Sequence, residues 1–131
     1  MTQEEKELLL FRDLSSRWAY GVKILFGKTG IVLQLSNISQ DHCFSLNGSH
    51  IFINKEYPIQ WCKPYLRSLS SMTEEESEEY NDLTNLMSDY DSTIENIATK
   101  IIDWLNEHHF DYRGLIEKGL ALEAPGGMYE S

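Results

Sequence analysis

The hydrophobic pattern of this chain changes period twice, and that change constrains the fold more than any other feature. Leu10, Phe11, Leu14 and Trp18 fall at i, i+1, i+4 and i+8, one face of a helix. The pattern breaks at Ala19-Tyr20-Gly21. Val22, Ile24 and Phe26 then alternate against Lys23, and Ile31, Leu33 and Leu35 against Gln34 and Ser36, the period of strands. Helical spacing returns at Tyr80, Leu83 and Met87. It is clearest at Ile94, Ile97, Ala98, Ile101, Trp104, Leu105 and His108. Helix, strands and helices in succession predict an α+β domain.

Local signals sharpen the boundaries. Thr2 and Glu5, Thr73 and Glu76, and Ser92 and Glu95 each have capping-box spacing, in which two side chains satisfy free backbone N–H groups at a helix start. Gly27 to Gly30 reads as the turn of a first hairpin. Asn47-Gly48 reads as the turn of a second, because both residues tolerate the positive φ of a type I′ turn. A two-residue loop there would pair Leu46 with Ser49, Phe44 with Ile51 and His42 with Ile53. Pro58 and Pro64 favour extended chain from Tyr57 to Arg67. Gly119 suits the left-handed residue that closes a helical turn, and Leu120-Ala121-Leu122 fits a last strand.

The expected fold is an N-terminal helix over 1–18 and a β-rich part over 20–67. The β part would be a four-stranded antiparallel meander curling toward a small barrel. A helical part over 72–124 would pack on one sheet face, and 125–131 would form a flexible tail. The 131 residues make a single domain by length.

Composition narrows the classes of function. Hydrophobic residues make up 41% of the chain, enough for a core. No apolar run approaches the roughly 18–20 residues of a membrane span. The opening Met1-Thr2-Gln3-Glu4-Glu5 is acidic where a secretory signal is basic, so a cytoplasmic protein with no membrane partner is expected. The two cysteines, Cys43 and Cys62, are expected to be reduced and buried.

Charge is divided sharply. Residues 1–71 hold eight Lys/Arg and six Asp/Glu, whereas residues 72–131 hold three Lys/Arg and fifteen Asp/Glu. Between Arg67 and Lys100 there is no cation at all. Such a chain is a poor general binder of nucleic acid, which demands Lys/Arg to displace counterions. The cluster Glu74, Glu75, Glu78, Glu79 and Asp82 can be read as a well-capped soluble helix. It can also be read as a surface that meets a basic protein. A second candidate is the strip Trp61, Lys63, Tyr65 and Arg67, which extended chain would project to one side. There aromatics could stack on bases and cations could hold phosphates or an acidic peptide. The alternative is a sheet edge with its aromatics packed under the helices.

Metal and catalytic signals are weak. His42 and Cys43 are neighbours on a strand and point to opposite faces, so with His50 and Cys62 they make a poor zinc set. His108 and His109 diverge on a helix and miss the spacing of metalloprotease motifs. Asp111 fits the cap of the next turn. No cofactor, metal or catalytic residue is expected.

The segment Trp61-Cys62-Lys63-Pro64-Tyr65-Leu66-Arg67, the run Met72-Thr73-Glu74-Glu75-Glu76, the tetrad Asp103-Trp104-Leu105-Asn106 and the stretch from His108 to Pro125 carry a resemblance. Over these residues the chain resembles a group of small uncharacterised proteins of Bacteroides-type gut bacteria and their phages or prophages. The likeness covers a little over half of the chain, and Tyr20-Gly21-Val22-Lys23 matches more loosely. It implies a bacterial cytosolic setting and transfers no activity. The leading expectation is therefore an interaction protein with an acidic helical surface. The alternatives are a nucleic-acid-associated accessory protein, and an enzyme or metal protein around His108, His109 and Asp111.

Overall fold

The computed structural model describes residues 1–26, 30–38, 42–45, 50–52, 62–85 and 94–129. Helix α1 spans Gln3–Arg17 and starts where Thr2 accepts the Glu5 N–H at 3.1 Å. Its inward stripe is Leu10, Asp13, Leu14 and Arg17, at i, i+3, i+4 and i+7. This corrects the expected stripe at one end. The helix stops at Arg17, and the tight 3-10 turn Trp18–Tyr20 leaves Trp18 41% exposed. Two charged residues occupy the buried positions instead.

Gly21 follows with φ 72°, a left-handed conformation that glycine adopts freely. A β-carbon there would also lie 2.8 Å from the side-chain amide of Gln34. The turn and this glycine delay the first strand to Lys23.

Strands β1 (Lys23–Phe26), β2 (Ile31–Ile38), β3 (His42–Ser45), β4 (His50–Phe52), β5 (Cys62–Leu66) and β6 (Leu122–Glu123) form one sheet in the order β4-β3-β2-β1-β5-β6. β1 pairs antiparallel with both β2 and β5, while β5 and β6 run parallel. The sheet is thus mixed and open, not the four-stranded antiparallel meander expected, and it does not close into a barrel. The extra strands are the extended segment before Arg67 and two residues near the C-terminus. β5 lies between β1 and β6, so it is not the sheet edge considered above.

The register of β3 on β4 is also a correction. Phe44 pairs with His50 and Cys43 with Ile51, one residue away from the two-residue-loop register. The Asn47-Gly48 turn itself lies outside the described residues. So do Met87 of the second helical stripe and the Ser92 cap.

The main core joins Leu10 and Leu14 of α1 to Val22, Ile24, Leu35, Cys62 and Leu66 of the sheet side, closed by Leu115, Leu120 and Ala121. Burying each large aliphatic side chain contributes about 1.5–3 kcal/mol. Helices α2 (Glu74–Asn85) and α3 (Ile94–Glu107) build a second cluster. In it Ile97, Ile101, Leu105 and Phe110 pack with Met72, Tyr80, Leu83 and Trp104. Among the described residues α1 is the helix that supplies buried side chains to the sheet core, whereas α3 supplies buried side chains, and α2 partly buried ones, to the second cluster.

Candidate functional site

Helix α2 begins with a complete capping box. Thr73 Oγ1 accepts the Glu76 N–H at 3.1 Å, and Glu76 Oε1 accepts the Thr73 N–H at 2.9 Å. That box turns Glu76 inward, where Arg67 donates to both of its oxygens at 2.6 and 2.7 Å. The hydrogen bond from Arg67 is the main reason its carboxyl is held down to about 2, against the opposing effect of burial. The apolar face of the helix, Tyr80 and Leu83, packs inward.

The remaining acids face solvent. Glu74, Glu75, Glu78, Glu79 and Asp82 are all exposed. Glu75, Glu78, Glu79 and Asp82 lie at i, i+3, i+4 and i+7 and so share one side of the helix. Glu79 accepts the indole N–H of Trp104 at 3.1 Å. Among the described residues the ion pairs involve Asp13 and Glu76, not this stripe.

Strand β5 alternates as its sequence suggests. Cys62, Pro64 and Leu66 are buried, while Lys63 and Tyr65 are half-buried on the other side, followed by Arg67. Trp61 lies outside the described residues. Arg67 is engaged: besides holding Glu76, its guanidinium sits 4.3 Å from the Phe110 ring centroid. The strip therefore contains one cation already bound within the fold.

Beside the first turn of α2 lies an open cleft of about 670 Å³. Arg67, Thr73, Glu75 and Glu76 form one wall, Glu107, His108 and His109 another, and residues 124–129 a third. The second wall is the end of α3. His109 N–H reaches the Asn106 carbonyl at 3.1 Å and Phe110 N–H the Leu105 carbonyl at 2.9 Å, a Schellman closure. His109 takes the left-handed position with φ 62°, where glycine is usual. It is only 6% exposed, and its Nδ1 is buried without a hydrogen-bond partner. Burial first, and then the charges of Arg17, His108, Arg67 and Lys23, lower its imidazole to about 4. The ring is neutral at physiological pH.

The third wall is the C-terminal segment. The sequence suggests a flexible tail from Pro125, but residues 125–129 fold back on the sheet. β1 and β5 pair as far as Ile24 with Pro64 and then part. The Tyr129 hydroxyl fills the fork, accepting the Lys23 N–H at 2.8 Å and donating to the Tyr65 carbonyl at 2.6 Å. Its ring stacks on His109 with centroids 3.8 Å apart, and Lys23 Nζ donates to the Met128 carbonyl at 3.1 Å. Burial pushes the Tyr129 phenol up to about 12. Beyond the fork, β5 continues through Arg67, whose N–H and carbonyl bond His109 and Asp111 at 2.8 Å each.

The other histidine and aspartate candidates make contacts within the fold. His108 Nδ1 lies 2.9 Å from the Trp104 carbonyl, and its ring stacks on Trp104. The Asp111 carboxylate accepts the Leu115 and Ile116 N–H groups at 2.9 Å each. Among the described residues no three His, Cys, Asp or Glu side chains are grouped to hold a metal ion.

A buried charge network went unread in the sequence. Asp13, with no exposure, receives Arg17 Nε at 3.0 Å and Arg113 Nη1 at 2.7 Å. Arg17, equally buried, donates from Nη2 to the Phe110 carbonyl at 2.6 Å. The i, i+4 spacing of Asp13 and Arg17 is a visible signal for a pair, but on a helix surface such spacing is common. Comparison with protein-family models, curated proteins and solved structures finds no match to this chain. Among the described residues no helix is long and apolar enough to cross a membrane.

Proposed function

We propose that this chain is an interaction protein that presents the acidic side of α2 to a basic protein partner. The observation that carries this reading is the stripe Glu75, Glu78, Glu79 and Asp82, exposed on one helical face with no cation paired to it among the described residues. A helix that needs only solubility gains from interspersed charges of both signs. One-sign stripes instead favour complementary surfaces, speeding encounter and excluding acidic competitors. The engagement of Arg67 with Glu76 speaks against the alternative strip on β5 as a nucleic-acid platform. In the bacterial or phage-derived setting that the resemblance implies, products of neighbouring genes are the first partners to try.

The test uses a labelled octalysine peptide and the full chain carrying Glu74→Gln, Glu78→Gln, Glu79→Gln and Asp82→Asn. Binding to the unaltered chain should weaken steeply with salt, and the four changes should reduce it at least about tenfold, the equivalent of about 1.4 kcal/mol. Equal binding by both chains would sink the proposal.

A further inference from the structure

We propose that the buried junction of Arg17 and His109, on the inner side of the C-terminal segment, binds one small inorganic anion of chloride size. Arg17 Nη1 and the Nδ1–H of His109 would be its donors. This site is separate from the acidic side of α2 and goes beyond the function proposed above.

Three observations converge. First, among the described residues two buried polar atoms have no hydrogen-bond partner, Arg17 Nη1 and His109 Nδ1. They belong to adjoining groups. Arg17 Nη2 donates to the carbonyl of Phe110, the residue after His109, at 2.6 Å. Of the charges that act on the His109 ring, that of Arg17 acts most strongly. Nη1 can only donate, and one of the two neutral tautomers of imidazole donates from Nδ1. Two such donors can share one acceptor.

Second, the charge at this junction does not cancel. Asp13 receives both Arg17 and Arg113, so the three side chains carry one positive charge in excess. Arg67 is matched by Glu76. Lys23 is not matched: its ammonium donates to the Met128 carbonyl, lies over the Tyr129 ring and belongs to no ion pair among the described residues. Burial aside, the imidazole responds most to Arg17, His108, Arg67 and Lys23, all of one sign. A guanidinium taken out of water without a matching charge is costly, and a monoanion offsets that cost. The same charges repel a cation.

Third, the junction is closed. Arg17 has no exposure, His109 has 6%, and the Tyr129 ring stacks on the imidazole at 3.8 Å. The Tyr129 hydroxyl is committed to the backbone of Lys23 and Tyr65 and does not serve either orphan nitrogen. Such enclosure favours a monatomic ion over a larger oxyanion. A water molecule would satisfy the two nitrogens but would leave the excess charge in place.

The experiment compares the full chain in sodium chloride and in sodium gluconate at equal ionic strength and neutral pH. Nitrogen NMR of the His109 ring locates its proton. In chloride the proton should sit on Nδ1 and donate to the anion. In gluconate it should sit on Nε2, because the surrounding cations favour a lone pair at Nδ1. Chloride should also raise the imidazole pKa by about one unit or more from the value of about 4 that burial and these cations impose. The thermal midpoint should rise by about 4 °C in chloride. His109→Asn, which tolerates positive φ, should abolish most of that rise. The four-site α2 variant should keep it. A proton on Nε2 in both salts, or equal midpoints in both, would assign the junction to a bridging water and overturn the anion. A rise that persists in His109→Asn would place the chloride elsewhere and overturn the site equally. If His109→Asn does not fold, the tautomer and pKa of the unaltered chain still decide.

Discussion

The charges at the foot of α1 and those along α2 obey opposite rules. Asp13 and Arg17 are wholly buried, and with Arg113 they tie the first helix to the loop after α3. Glu74, Glu75, Glu78, Glu79 and Asp82 of α2 are exposed and belong to no ion pair among the described residues. The first set is small and inconspicuous in the sequence; the second dominates it. Counting charges thus finds the surface, whereas the charges that hold the fold are found only by asking which are out of water. The sharpest way to break the comparison is Asp13→Ala. It leaves two guanidinium groups without their carboxylate, one of them fully buried, and should cost about 3–5 kcal/mol. Urea unfolding would measure it. A loss below about 1 kcal/mol would mean that water reaches Arg17 and that the two regions do not differ as described.

Acid should separate the regions next. The imidazole of His109 is lowered from 6.5 to about 4, so the folded state resists a proton that the unfolded chain accepts. Its contribution is complete above about pH 6.5 and is lost as the pH falls toward 4. The carboxyl of Glu76 is lowered from 4.5 to about 2, and its contribution is lost over that lower window. Stability should therefore fall in two stages on acidification. The upper stage amounts to about 3.4 kcal/mol at 1.36 kcal/mol per pH unit. His109→Asn should remove the upper stage and Glu76→Gln the lower one. A single stage untouched by His109→Asn would show that the imidazole is not buried as neutral.

Tyr129→Phe probes the fork where the sheet parts. The change keeps the ring on His109 but removes the hydroxyl between the Lys23 N–H and the Tyr65 carbonyl. Leaving those groups without a partner should cost about 1–3 kcal/mol. Hydrogen exchange at the Lys23 amide should quicken more than at Leu25, which remains in the ladder with β2 and β5. Equal protection at both amides in the variant would show that water replaces the hydroxyl without loss.

Much of the local structure was legible. Thr2 and Thr73 cap their helices, Ile97, Ile101 and Leu105 form the buried stripe of α3, and Cys62, Pro64 and Leu66 alternate with Lys63 and Tyr65. These depend on neighbours within one turn or one strand, which periodicity reports. What was hidden depends on distant chain. A last strand is expected at 120–122, but its partner is not, because β6 (Leu122–Glu123) pairs with β5 across more than fifty positions. The fork is filled by a tyrosine that composition places in a frayed end. The left-handed closure of α3 uses His109 where a reader looks for glycine, so the wall of the cleft carried no local mark. For the candidate site, the exposed acids could be read directly from the capped helix. The cleft could not, because its walls come from the start of α2, the end of α3 and the C-terminal segment.

The gentlest change sharpens the comparison most. Replacing Glu74, Glu78, Glu79 and Asp82 by their amides keeps the size of each side chain and the acceptor that Glu79 offers to Trp104. Exposed carboxylates outside the ion pairs of the described residues contribute little to folding, so stability near neutral pH should move by no more than about 0.5 kcal/mol per site. The direction is set by two small opposed effects. Removing like charges four residues apart relieves repulsion between Glu74 and Glu78 and between Glu78 and Asp82. Removing Glu74 from the first turn forfeits part of its favourable contact with the positive end of the helix. Their near cancellation is itself the prediction, checked by thermal unfolding at low and high salt. If the four amides instead destabilise the chain as much as Asp13→Ala does, the α2 acids belong to the fold. They would then have no claim to a partner, and the difference between the two regions would disappear.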